Sequence, residues 1–91
     1  MQYGIRVSAN RVVKKHHESI SSTQFRTGWV HRNFKVRNGI YLGKRTLPYG
    51  TFNLDGKFTV LGRKVVALVS PNGCTNPVYV DHKDLEVSGY V

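Results

Sequence analysis

The stretch Gly39-Ile40-Tyr41-Leu42-Gly43-Lys44-Arg45-Thr46-Leu47-Pro48-Tyr49-Gly50-Thr51-Phe52-Asn53-Leu54 leads through Asp55-Gly56 into Lys57-Phe58-Thr59-Val60-Leu61-Gly62-Arg63-Lys64-Val65-Val66-Ala67-Leu68-Val69. It reads as consecutive β-strands. Ile40 and Leu42 would share the core face, with Tyr41, Gly43 and Arg45 opposite, because strand side chains alternate with period two. Phe52 with Leu54, then Phe58 with Val60, continue that alternation across a turn that Asp55-Gly56 is well suited to make. Gly62 falls inside what could be one long strand, where a glycine suggests a bulge or sharp bend. Val65–Val69 is apolar at every position, the pattern of a central strand covered on both faces.

Working toward the N-terminus, Trp29–Val36 is a further strand, with Phe34 and Val36 on one face and Lys35 and Arg37 on the other. Asn38-Gly39 supplies the two positive-φ positions of a type I′ turn and predicts a hairpin joining Arg32–Arg37 to Gly39–Leu47. Asn72-Gly73 repeats that turn chemistry, so turns arrive at the cadence of an all-β domain. Toward the C-terminus, Val78-Tyr79-Val80 is a short strand. Asp81–Asp84 reads as one turn of 3₁₀ helix capped by Asp81, and Leu85-Glu86-Val87 begins the last strand.

Residues 1–27 differ in character. Ile5-Arg6-Val7 alternates like a strand, whereas Ser8-Ala9-Asn10 resembles a helix start that the paired valines at 12 and 13 do not sustain. Ser19–Gln24 is polar and uncharged, the composition of a link. The expected organisation is a basic, partly ordered N-terminal arm over 1–27, able to pair one strand onto a barrel over 28–91.

Ninety-one residues suffice for one domain with a small core. No run approaches the roughly 20 apolar residues that span a bilayer. Without an apolar leader, and with a single cysteine, a cytoplasmic protein with no intramolecular disulfide is expected. The formal charge is +9 and unevenly spread: residues 1–45 carry ten basic side chains against Glu18 alone, while 46–91 carry four of each sign. Such a field favours a polyanionic partner, nucleic acid first.

With its strand, 3₁₀ turn and strand at the end (Pro77-Val78-Tyr79-Val80, Asp81–Asp84, Leu85-Glu86-Val87), Gly28–Val91 resembles the SH3-like small barrels. The fuller pattern Gly43-Lys44-Arg45-Thr46-Leu47, Gly50-Thr51-Phe52, Ala67-Leu68-Val69 and Pro77-Val78-Tyr79-Val80 is similar to short uncharacterised proteins of bacteria and their phages. The resemblance implies an all-β SH3-like barrel of five to six short strands, with the 3₁₀ turn before the last, behind the basic arm. It carries no activity of its own. Related small barrels of the KOW, Tudor and Sm-like classes bind RNA, DNA or protein tails. The chain has no clear KOW signature and no acidic loop for a proline-peptide groove. Val78-Tyr79-Val80 does not match the glutamine-bearing active-site strand of the type II dihydrofolate reductases.

The candidate site is the strip Arg32, Lys35, Arg37, Lys44 and Arg45 among Trp29, Tyr41 and Tyr49, with Lys14 and Lys15 assisting from the arm. Cations neutralise phosphates and release counterions, and exposed aromatics stack on unpaired bases. A non-enzymatic nucleic-acid-binding protein is therefore expected, with RNA slightly preferred over DNA. The alternative is a protein-interaction module, such as a phage-type effector docking on a host protein. No cofactor is expected. His16-His17, His31, His82 and Cys74 match no zinc spacing, and adjacent strand histidines point to opposite faces, so no metal is expected. Cys74 reads as a plain loop thiol rather than a nucleophile. Asp81, Asp84 and Glu86 fit a cap and edge charges better than acid–base chemistry. As an acidic patch on a basic protein they allow a weak homodimer beside the monomer, aided by Tyr90 and Val91 if the last strand is an open edge.

Overall fold

A computed structural model describes residues 4–71 and 76–89. The Asn72-Gly73 turn, Cys74, Tyr90 and Val91 lie outside the described residues. The chain forms β1 (Arg6–Ser19), β2 (Gln24–Asn53), β3 (Phe58–Ser70), β4 (Val78–Asp81), a 3₁₀ turn (His82–Asp84) and β5 (Glu86–Gly89). Every pairing is antiparallel. β1 pairs with β2, β2 with β3, β3 with β4, and β4 returns to β1 through Val13 opposite Tyr79, so four strands complete a ring. β5 pairs with β1 through residues 6–8. No described helix is long and apolar enough to cross a membrane.

β2 organises the ring by changing partners. Its first part pairs with β1 from Ser19↔Phe25 to Arg6↔Ile40, and its second part pairs with β3 from Ile40↔Ser70 to Phe52↔Phe58. The expected hairpin at Asn38-Gly39 is thus corrected: β2 runs on through it. Between Arg11 and Val7, β1 takes two steps of two residues while β2 takes two of three, from Asn33 to Val36 and from Val36 to Gly39. Each surplus residue is a bulge, which bends the strand and raises its twist. Asn38 adopts φ 51, a conformation asparagine tolerates. Gly39 is needed for space: a Cβ there would lie 2.7 Å from Val36 Cγ1 and 2.8 Å from Val69 Cγ1.

Residues 6–19 of the expected arm form one strand, β1, which pairs with β2 and supplies much of the core. Val7 and Val12 are fully buried beside Val36, Val69 and Val80, and Val13 closes a second cluster with Leu47 and Val66. Paired valines that a helix would not sustain suit a strand flanked on both edges. Each buried valine contributes roughly 1.5–3 kcal/mol relative to exposure.

The bulges also reverse two facing expectations. Leu42 is the surplus residue between Tyr41↔Val69 and Gly43↔Leu68, so Tyr41 turns into the core at 5% exposure while Ile40 and Leu42 are half-buried. Phe34, expected beside Val36, lies across a bulge from it and is exposed. Val66, Ala67 and Val69 are buried as expected, but Val65 is exposed.

Other expectations hold. Gly56 N donates to Asn53 O at 2.9 Å and Asn53 N to Lys57 O at 3.0 Å, closing the Asp55-Gly56 turn with Gly56 at φ 87. Leu61 is the surplus residue between Tyr49↔Gly62 and Gly50↔Val60, the bulge that Gly62 suggested. The Asp81 side chain accepts from Lys83 N and caps the 3₁₀ turn.

Gly50 gives a sharp test, because a Cβ there would stand 1.9 Å from the Thr59 carbonyl oxygen, which is backbone and cannot swing aside, whereas one at Gly28 meets nothing within 4 Å. Gly50→Ala should cost about 3 kcal/mol in urea unfolding. Gly28→Ala should change stability by no more than about 0.5 kcal/mol.

Candidate nucleic-acid interface

Beyond the ring, β1 and β2 continue as one two-stranded ribbon (14–19 with 25–30) and β2 and β3 as another (47–52 with 58–64). The bend in β2 folds these ribbons against each other. Phe25 stacks on Phe52 at 5.2 Å between ring centroids and 23° between planes, and His17 meets Phe52 edge-on at 5.7 Å. The Trp29 indole N–H donates to Pro48 O at 2.9 Å, and Leu54 N donates to Thr23 O at 3.0 Å between the tips. The molecule is accordingly elongated, 48 × 23 × 22 Å.

A cleft of about 530 Å³ opens between the ribbons, lined by Trp29, Leu47, Pro48, Phe52 and Phe58, with Lys15 and His17 on its polar side. Lys15 stands directly opposite Trp29 in the β1–β2 register, so both share this face. The His17 ring nitrogen Nδ1 lies 3.1 Å from Thr27 Oγ1. A neighbouring hollow is lined by Gly28, Trp29, Tyr49, Arg63 and Lys64. Of the residues expected from the sequence, the ribbons therefore gather Lys15, Trp29 and Tyr49 around one indole.

The remaining members of the strip are dispersed. Arg32–Arg37 pairs with β1 and Lys44–Arg45 with β3, so they do not form adjacent strands. Lys14 and Arg32 lie on the opposite face of the first ribbon from Lys15 and Trp29, by alternation from the Lys15↔Trp29 pair. Lys35 and Arg37 sit at the bulges beside a hollow that includes Asp84 and Glu86. Arg45 bends back, its Nη1 donating to Lys44 O at 2.9 Å. Tyr41 leaves the set because it is buried in the core. Phe52, Phe58, Arg63 and His17 join it. Phe52 and Phe58 flank Asp55-Gly56 in the sequence, but nothing local distinguishes a cleft wall from core packing.

The acidic residues are mostly engaged elsewhere. Asp81 receives Lys64 Nζ at 2.9 Å and His31 Nε2 at 3.1 Å, and Asp84 holds Arg11 through two hydrogen bonds of 2.9 and 3.1 Å. Glu18 reaches Arg26 at 3.9 Å, and Asp55 caps its own turn at Lys57 N. Among the described residues, Lys14, Lys15, Arg32, Lys35, Arg37, Lys44, Arg45 and Arg63 have no ion pair. His31, Asp81 and Asp84 bring ligand-type atoms within 4.8 Å of one another. Lys64 and Arg11 already neutralise the two carboxylates, so the group works as an internal brace.

Comparison with protein-family models, with curated proteins and with solved structures finds no match to this chain.

Burial raises the Asp81 pKa, but the hydrogen bonds from Lys64, His31 and the Lys83 N–H together outweigh it and hold the carboxyl at about 2 against an ordinary 3.8. A depressed carboxylate stabilises the fold fully above its unfolded pKa and loses that contribution as pH falls through the folded one. The Asp81 contribution, about 2 kcal/mol, should therefore be complete above pH ~4 and vanish toward pH ~2. Thermal melts from pH 6 to 2 should show this loss, and Asp81→Asn should be less stable at pH 6 with a shallower decline.

Proposed function

We propose that the protein is a small non-enzymatic nucleic-acid binder, with RNA slightly preferred over DNA, that holds backbone phosphates with side chains of β1 and β2. The observation that carries this reading is the division of charge. The carboxylates of Asp81 and Asp84 are held by internal cations, while Lys14, Lys15, Arg32, Lys35, Arg37, Lys44 and Arg45 have no counter-ion among the described residues. Cations left without counter-ions along β1 and β2 give these strands a positive field that favours an anionic partner. Trp29 and Tyr49 add aromatic surface beside Lys15 and Arg63. The ring of antiparallel strands and its strand, 3₁₀ turn and strand ending support assignment to the SH3-like small barrels. The likeness to bacterial and phage proteins, and a cytoplasmic setting, belong to the same reading.

A protein-docking module is the second reading, favoured by the exposed Leu54, Phe58, Val60 and Leu61, which follow one another along the β2–β3 hairpin. Salt separates the two. Phosphate contacts release counterions, so RNA affinity should fall with a log–log salt slope of about −4 or steeper. The double change Lys14→Glu with Arg32→Glu should weaken binding uniformly across sequences and make that slope shallower by about 2. Absence of binding at low salt, measured by fluorescence anisotropy with labelled RNA and DNA, would overturn the nucleic-acid reading in favour of the docking module.

A further inference from the structure

The cleft between the ribbons is built more specifically than a phosphate-binding face requires. Its aromatic walls are held in place by contacts made within the protein. Trp29 is fixed through its indole N–H to Pro48 O, and it meets Tyr79 edge-on at 6.0 Å. Phe52 is fixed between Phe25 and His17. Rings already ordered lose little rotamer freedom when a planar ligand slides against them. The volume, about 530 Å³, lies inside the ~300–1,000 Å³ range of small-ligand sites. Phe58, at 41% exposure, leaves part of its ring open to solvent at this cleft.

Charge selects among the planar groups that could enter. Lys15 flanks Trp29 across the ladder and has no ion pair among the described residues. Among the described residues, no carboxylate lines the cleft. Lys14 and Arg26 stand on the reverse face of the same ribbon, where Glu18 pairs with Arg26. An apolar, aromatic-walled cleft beside an ammonium without an ion pair suits an aromatic ring attached to a phosphate.

We infer that this cleft receives an unstacked base of a single-stranded nucleic acid, with Lys15 on the adjoining phosphate. The inference rests on the nucleic-acid reading above and narrows it. A base within a duplex is paired and stacked on both sides, so it cannot enter; the protein should therefore prefer single strands.

Trp29 is the sole tryptophan, so its emission reports directly on the cleft. The probes are a short oligouridine RNA, an abasic phosphodiester oligomer of equal charge, and an RNA duplex. Oligouridine should quench Trp29 and bind at least about tenfold more tightly than the abasic oligomer, because stacking on an aromatic side chain contributes ~1–3 kcal/mol per base. Phe58→Ala, which removes a half-exposed ring, should lower oligouridine affinity about fivefold and leave abasic binding unchanged. Lys15→Gln should weaken both. Equal affinity for all three probes without quenching overturns the cleft assignment while leaving phosphate binding in place, as does a preference for oligouridine that survives Phe58→Ala. No binding of any probe at low salt overturns both readings.

Discussion

The structure depends on one close approach, that of the Gly39 backbone to Val36 and Val69. Both valines are essentially without solvent exposure, and a Cβ at position 39 would press into each below 3 Å. Interiors packed to crystalline density have no slack to absorb such a contact. Only with position 39 bare can β2 pass between β1 and β3 and exchange one partner for the other around Ile40. Because that exchange occurs inside a single strand, the two ends of β2 are directed back alongside each other. The ring, the paired ribbons and the cleft between them all follow from this turn of direction.

The brace at Asp81 and Asp84 complements that bend. β4 and its 3₁₀ turn carry the two carboxylates, while their partners come from β1 (Arg11), β2 (His31) and β3 (Lys64). Three strands are therefore tied to the element that closes the ring, at the place where β4 meets β1 through one residue pair. Desolvating a carboxylate is costly, and here several donors offset it together. Charge is partitioned as a result. Asp81 and Asp84 are committed to closing the ring, and the remaining cations of β1 and β2 keep a positive field.

How far the sequence disclosed this arrangement depended on whether the deciding contact was local. Asp55-Gly56, the Asp81 cap and the Gly62 bulge were legible, because a turn, a cap and a backbone kink are specified by the residues that form them. Asn38-Gly39 has the chemistry of a hairpin turn, yet bulges in β2 use the asparagine for its φ and the glycine for its lack of a side chain. The difference lies in β1, which arrives from thirty residues away to occupy the edge a hairpin would have filled. Each surplus residue in a bulge then shifts the phase of everything beyond it, which is why Tyr41 is buried and Phe34 is exposed. The strand identity of residues 6–19 was obscured by their charge, since lysines and histidines on a ribbon with one solvated face read as an arm until the partner strand is known. The cations of the candidate site were legible as composition. Their separation onto different faces was not, because it follows from the same bulges.

The ribbons raise a further physical point. A two-stranded ribbon outside a sheet is marginal in water, and among the described residues neither outer edge of these ribbons joins a further strand. Their order comes from the stacking of Phe25 on Phe52 and from the hydrogen bond of the Trp29 indole N–H to Pro48 O. Those contacts also bound the cleft, so the groups that keep the ribbons together are the groups a planar ligand would meet. Regions held by few contacts open locally at lower free energy than the core does. A ligand that fills the cleft adds contacts to both ribbons at once, and by mass action it stabilises the closed arrangement over the open one. Were the proposed base to bind, its affinity and the local stability of the ribbons would be tied through the same aromatic rings.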